Sequence, residues 1–268
     1  MANFEFTPEN VQEKLFQYMK ELNYFLFNER DLQIYLAMKF KEDAETKGWM
    51  VYAEYHLPKG CNTEFDNHYA RWVTEKPSID IVIECGNQFI GIELKYKLRK
   101  VTSQVFKRFG SEINNVVLVT DQLAQNNARY DFWKDVKRLE LLSSYYDNVI
   151  GGVAILITND SSYLSTNENS DYRMFGLDSK VKSGDLEWYS GESKVEGGKG
   201  KCCNKNGKQK KYHDPVENKN KFVFSKPNFK LLGAYKGEWC NNQEALFSFE
   251  NTNFFCYSVI VNTSTDAN

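Results

Sequence analysis

Asp80, Glu93 and Lys95 are the residues of this 268-residue chain whose types and spacing could do chemistry. They lie in the stretch 77–97, PSIDIVIECGNQFIGIELKYK. Residues 78–84 alternate polar and branched apolar side chains, and 89–97 do so again, with Gly86-Asn87 in the link. Gly-Asn between alternating runs predicts a two-residue hairpin turn of the II′ type, Gly86 supplying the positive φ. Counting outward, Cys85 faces Gln88, Glu84 faces Phe89 and Asp80 faces Glu93. Opposed residues on one face have Cβ atoms about 4.5–5.5 Å apart, and Lys95 projects from that face about 6–7 Å further on. Ile79, Ile81, Ile83, Ile92 and Leu94 are expected to point the other way, into a core. Like charges held opposite each other weaken a hairpin unless something neutralises them. A divalent cation does so, and the Lys95 ammonium helps.

The elements that must hold this hairpin follow from pattern. Thr7-Pro8 caps a helix with an apolar stripe at Val11, Leu15, Met19 and Leu22. Asn28 caps a second, whose stripe is Leu32, Leu36 and Phe40. At 100° per residue Glu29 falls within about 20° of Leu36 and Phe40. Either it complements the helix N-terminus, or it adds a third carboxylate to the site. Residues 51–56 alternate as a strand. Phe132, Val136, Leu139 and Leu142 mark a helix over about 126–146, with Arg129, Lys134, Lys137 and Arg138 mostly off its stripe. The near-continuous apolar run 149–157 reads as a strand buried on both faces. The short run 116–119 is left unassigned.

Asp80 on one strand and Glu93-Leu94-Lys95 on the next resemble the PD-(D/E)xK nuclease superfamily, with the Pro displaced to Pro77-Ser78-Ile79-Asp80. The order helix, strand, strand, strand, helix, strand is that family's αβββαβ core. The resemblance implies a mixed α/β, restriction endonuclease-like fold over 28–165. The N-terminal helix (1–27) precedes it, and a β-rich C-terminal elaboration (166–268) follows. It implies a metal-dependent nuclease acting on nucleic acid, DNA ahead of RNA. Mg²⁺ or Mn²⁺ would be held by Asp80, Glu93 and the Leu94 carbonyl, with Glu29 as a further ligand. Mg²⁺ takes few protein carboxylates alongside water and phosphate. Lys95 would orient the attacking water and offset growing negative charge; it could accept the proton only with a lowered pKa. Exonuclease-type relatives add Gln-x-x-x-Tyr on the following helix; here Gln125 and Tyr130 are five apart. The alternative is a catalytically inactive nucleic-acid-binding or interaction protein that keeps the fold. A metal-dependent enzyme with another substrate is a third option.

Competing chemistries lack their signatures. The chain has no G-x-x-x-x-G-K-[ST] and no G-x-S-x-G. His56, Cys61 and His68, or Cys202, Cys203 and His213, lack C-x-x-C zinc spacing. Six irregularly spaced cysteines fit reduced thiols. No apolar run approaches the roughly 20 residues of a membrane span, and the start MANFEFTPENVQEK lacks a signal-peptide layout. A cytoplasmic location is expected; the oligomeric state is open, a homodimer among the options. Net charge is −2, so no global basic field marks a nucleic-acid partner. The segment 194–226 nevertheless holds ten lysines against Glu196, Asp214 and Glu217, with almost nothing apolar before Phe222. It is expected to be a mobile loop, and either a solvated one or a phosphate-binding one through Lys208, Lys210 and Lys211. Residues 222–224, 229–235, 246–249 and 254–261 read as further antiparallel strands.

Overall fold

Local signals start both N-terminal helices where the sequence places them. In α1 (Pro8–Lys20) the Thr7 hydroxyl accepts from the Asn10 amide at 3.3 Å, with Pro8 in the first turn. In α2 (Glu29–Lys47) Asn28 accepts from the Asp31 amide at 2.9 Å, and Gly48, at φ 68°, ends the helix. Only a residue comfortable in the left-handed region closes a helix this way, hence the glycine. The computed structural model describes residues 5–57, 60, 62–66, 77–122, 125–166, 173–186, 209–214, 219–224 and 229–262.

Three strands follow: β1 (Trp49–His56), β2 (Ser78–Cys85) and β3 (Gln88–Lys97). A hairpin of β4 (Val101–Arg108) and β5 (Ser111–Val119) precedes the long helix α3 (Gln125–Tyr145) and strand β6 (Val149–Thr158). Later come β7 (Lys182–Leu186), β8 (Gln209–Asp214), β9 (Lys219–Phe224), β10 (Phe229–Tyr235), β11 (Gly237–Trp239), β12 (Phe247–Phe249) and β13 (Thr252–Asn262). The main sheet runs β1-β2-β3-β6-β13-β11, with β12 on β13. Among the described residues only β3 and β6 pair in parallel, so the molecule is mixed α/β around a mixed sheet.

Each sheet face buries a core. Val11, Leu15, Leu32, Leu36 and Phe40 of α1 and α2 pack with Ile81, Ile83, Ile90, Ile92 and Leu94. On the other face α3 brings Phe132, Trp133, Val136 and Leu139 against the sheet. Two glycines set how close α3 comes. Gly91 of β3 and Gly152 of β6 are register partners, and a Cβ on either would lie 2.8 Å from Leu139 Cδ2. That seat draws in the turn before Leu139, which carries Asp135.

Besides the Asp80–Glu93 end of the hairpin, the structure differs from the sequence expectations in four places. The run 116–119 is the end of β5, paired with a β4 that the sequence reading passed over. Both strands are largely solvated, and buried positions alternate only at the start of β4, at Val101 and Ser103. Part of the basic segment expected as a mobile loop is regular: β8 and β9 pair antiparallel, Gln209 opposite Phe224 and Asp214 opposite Lys219. Backbone pairing needs no apolar face, and lysines are common on edge strands. Lys210 and Lys211 are β8 positions; Lys208 lies outside the described residues. Ile79 belongs to the α3-side core rather than with Ile81 and Ile83. Finally, β13 extends the main sheet beyond β6, so the expected boundary at 165/166 separates strands of one sheet. Among the described residues no helix is long and apolar enough to cross a membrane.

Candidate active site

The turn geometry is as the sequence implies. Gly86 has φ 62°, and the register runs from Cys85 opposite Gln88 to Ile81 opposite Ile92. One step further the two strands stop pairing, although the count would set Asp80 against Glu93. Side-chain alternation in β2 slips here, since Ile79 and Ile81 lie in opposite cores. Position 54 of β1, across from Asp80, breaks the ladder with Glu54 at φ 51°.

Where β2 withdraws, carboxylates take over its hydrogen bonds. The Leu94 amide donates to Asp80 Oδ2 at 2.7 Å, and the Tyr96 amide donates to Glu29 Oε2 at 3.0 Å. Unpaired strand amides are obligatory donors, so they fix both acids. Gln33 of α2 donates to the Asp80 carbonyl at 2.5 Å, anchoring the same point from the helix.

Glu93 and Lys95 face α3 instead. Arg138 Nη1 lies 2.6 Å from Glu93 Oε1 and 3.1 Å from Asp135 Oδ1. Lys95 Nζ is 2.6 Å from Asp135 Oδ2 and 3.8 Å from Glu29 Oε1, and donates to the Leu94 carbonyl at 3.1 Å. Glu93 is only 2% exposed. Four carboxylates (Glu29, Asp80, Glu93, Asp135) therefore share two cations. Fully ionised, the cluster is two positive charges short.

Titration follows from that deficit. Burial lifts Asp80 above the ordinary carboxylate value, and Asp135 and Glu29 add to it; Lys95 and the Leu94 amide pull it back. Burial raises Glu93 well above its ordinary 4.5, Asp135 and Asp80 reinforcing it against Arg138 and Lys95. For Lys95 burial disfavours the ammonium, yet Asp135 first, then Glu29, Glu93 and Asp80, raise its pKa. Lys95 is thus a fixed cation here, not a proton acceptor.

The donor set is suited in kind to a hard divalent cation: carboxylate and carbonyl oxygens, with a charge deficit of two. Glu93 Oε2 and Asp80 Oδ1 have no hydrogen bond to a described residue. Asp80, Glu93 and the Leu94 carbonyl are the groups that would hold it. In the arrangement seen, Arg138 and Lys95 stand as resident counter-ions. Among the described residues no three His, Cys, Asp or Glu side chains converge as ligands.

Asp80, Glu93, Lys95, Leu94 and Glu29 thus meet at one place, whereas Lys210 and Lys211 lie on the separate β8–β9 hairpin. Glu29 is engaged by the Tyr96 amide and Lys95 rather than left free. Asp135, Arg138 and Gln33 were missed. The signal was available for the two on α3. At four residues' spacing Asp135 lies about 40° from Leu139 and Arg138 about 40° from Leu142, the same helical arithmetic that singled out Glu29. Gln125 bonds to Asp160 and Tyr130 sits among Phe175 and Phe229, so neither joins the cluster. Of the two zinc sets, Cys61, His68, Cys202 and Cys203 lie outside the described residues. No family model, curated protein or solved structure matches the chain.

Proposed function

We infer that the protein is a metal-dependent nuclease that hydrolyses phosphodiester bonds of nucleic acid, DNA ahead of RNA. The observation that carries this reading is the meeting of Asp80, Glu93 and Lys95 where β2 leaves β3, in a cluster that is two positive charges short when fully ionised. A restriction endonuclease-like core is part of the same reading, supported by the order α2-β1-β2-β3-α3-β6, into which the β4–β5 hairpin is inserted before α3, and by the parallel β3–β6 pair.

Bound Mg²⁺ or Mn²⁺ would supply an activated water and stabilise charge on the phosphate. The chain's own residues do the rest. Asp80 is oriented by the Leu94 amide, and Glu93 by Arg138. Lys95, held charged by Asp135, offsets negative charge developing on the phosphoryl oxygens.

A second reading, a nucleic-acid-binding protein without catalysis, draws on the ion pairs of Glu93 and Lys95, which leave the site partly self-neutralised. One experiment separates the two. Labelled single- and double-stranded DNA and RNA are incubated with Mg²⁺, Mn²⁺ or EDTA, using parent, Asp80→Ala and Lys95→Ala proteins. Cleavage should require metal and fall at least about a hundredfold in either variant, the scale set by losing a charge-stabilising group. Equal cleavage in EDTA, or an active Asp80→Ala protein, refutes the enzyme reading; binding without cleavage in every buffer supports the second.

A further inference from the structure

Phe109 stands at the tip of the β4–β5 hairpin with 96% of its surface exposed. Arg108 pairs with Ser111, leaving Phe109-Gly110 as the turn, with φ of 51° and 77°. Two positive φ values make a type I′ turn, whose first position suits Asn, Asp or Gly. A residue with a Cβ costs about 1–2 kcal/mol there, and a solvated ring buries nothing in return. Within the fold the ring gains only an exposed contact with the Arg108 guanidinium, worth about 0.5–1 kcal/mol, less than the turn costs; a partner that covers the ring would make up the difference.

The surroundings say which partner. The Arg108 guanidinium lies 4.8 Å from the Phe27 ring centroid and 5.5 Å from that of Phe109. Among the described residues no carboxylate pairs with it, whereas neighbouring Lys107 has Glu112 at 3.3 Å. Phe106 meets Phe27 edge-on at 5.8 Å. Phe27 is two residues before Glu29, and β4 begins four residues after Lys97, the end of the strand that carries Lys95. The hairpin thus leaves the site along one strand and is fastened back beside the helix that delivers Glu29. Its tip pairs a solvent-exposed ring with a guanidinium lacking a carboxylate partner among the described residues, against Phe27, two residues before Glu29. An acidic or purely apolar protein surface would use one of these features; an unpaired base with its phosphate uses both.

We propose that the β4–β5 tip is a nucleic-acid contact, in which Phe109 stacks on an exposed base and Arg108 meets the adjacent phosphate. The inference rests on the nuclease reading and names how its substrate is gripped. Its test is binding of a single-stranded oligonucleotide containing 2-aminopurine, in EDTA, to parent, Phe109→Gly and Phe109→Trp full-length proteins. Loss of one stacked base should weaken Phe109→Gly about tenfold and remove the 2-aminopurine quenching, while Phe109→Trp keeps both. The Tm of Phe109→Gly should equal or exceed the parent's, because glycine relieves the turn. Parental affinity and quenching in Phe109→Gly overturn the proposal. So does a shift of that variant from a larger to a smaller species in sedimentation at parental affinity, which would make the tip a contact between copies. If the parent does not bind the single-stranded oligonucleotide, the tip inference fails, while the nuclease reading is decided separately by the metal-dependent cleavage assay. If the parent binds and cleaves but Phe109→Gly matches it, the tip inference alone fails.

Discussion

Glu93 shows most sharply how single residues shape this site. Its carboxyl is buried beside Asp135 and Asp80, and its pKa is raised. The native state therefore holds a proton that the unfolded chain releases above about 4.5. Stability must then fall as pH rises from the ordinary carboxylate value toward the folded one, by up to about 1.4 kcal/mol per unit for a whole proton. Asp80, raised as well, contributes in the same direction. Lys95 adds no slope below its ordinary 10.5, since its ammonium is charged in both states there. Chemical denaturation in EDTA from about pH 5 to 8 should show this decline in the parent, and Glu93→Gln should flatten it. Identical slopes in the two proteins would mean that Glu93 is ionised throughout.

At the scale of elements, the placing of α3 decides whether the cluster exists. Lys95 and Glu93 project from β3, but their partners Asp135 and Arg138 arrive from a helix some forty residues later. Leu139 fits against the bare backbone of Gly91 and Gly152, and a methyl at either glycine would meet it at 2.8 Å. Gly91→Ala should accordingly cost about 1–3 kcal/mol by overpacking, and should slow single-turnover cleavage by moving Asp135 away from Lys95. Trimming the obstacle tests the cause. Leu139→Ala combined with Gly91→Ala should cost less than the sum of the single changes in a double-mutant cycle. Strict additivity would show that Leu139 does not transmit the strain.

Across the whole molecule, charge is unevenly spread: 194–226 carries +7 and the remainder −9 within a total of −2. Each lysine that meets a duplex phosphate adds about 0.9 to the slope of log affinity against log salt. Replacing Lys208, Lys210 and Lys211 with Gln should flatten that slope by roughly two to three and raise the apparent KM. An unchanged slope would take the β8–β9 region out of the substrate path. What the sequence by itself determined is local. The Thr7 and Asn28 caps, the Gly86 turn, the hairpin register as far as Ile81 opposite Ile92, and a strand over 149–157 follow from rules spanning a few residues. Long-range packing decided the rest. It joined β13 to β6, turned Ile79 away from Ile81, and set Arg138 on Glu93 and Asp135 on Lys95. No spacing within one element encodes those meetings. They depend on how closely α3 approaches the sheet, and on where β2 leaves β3 with two amides for carboxylates to fill.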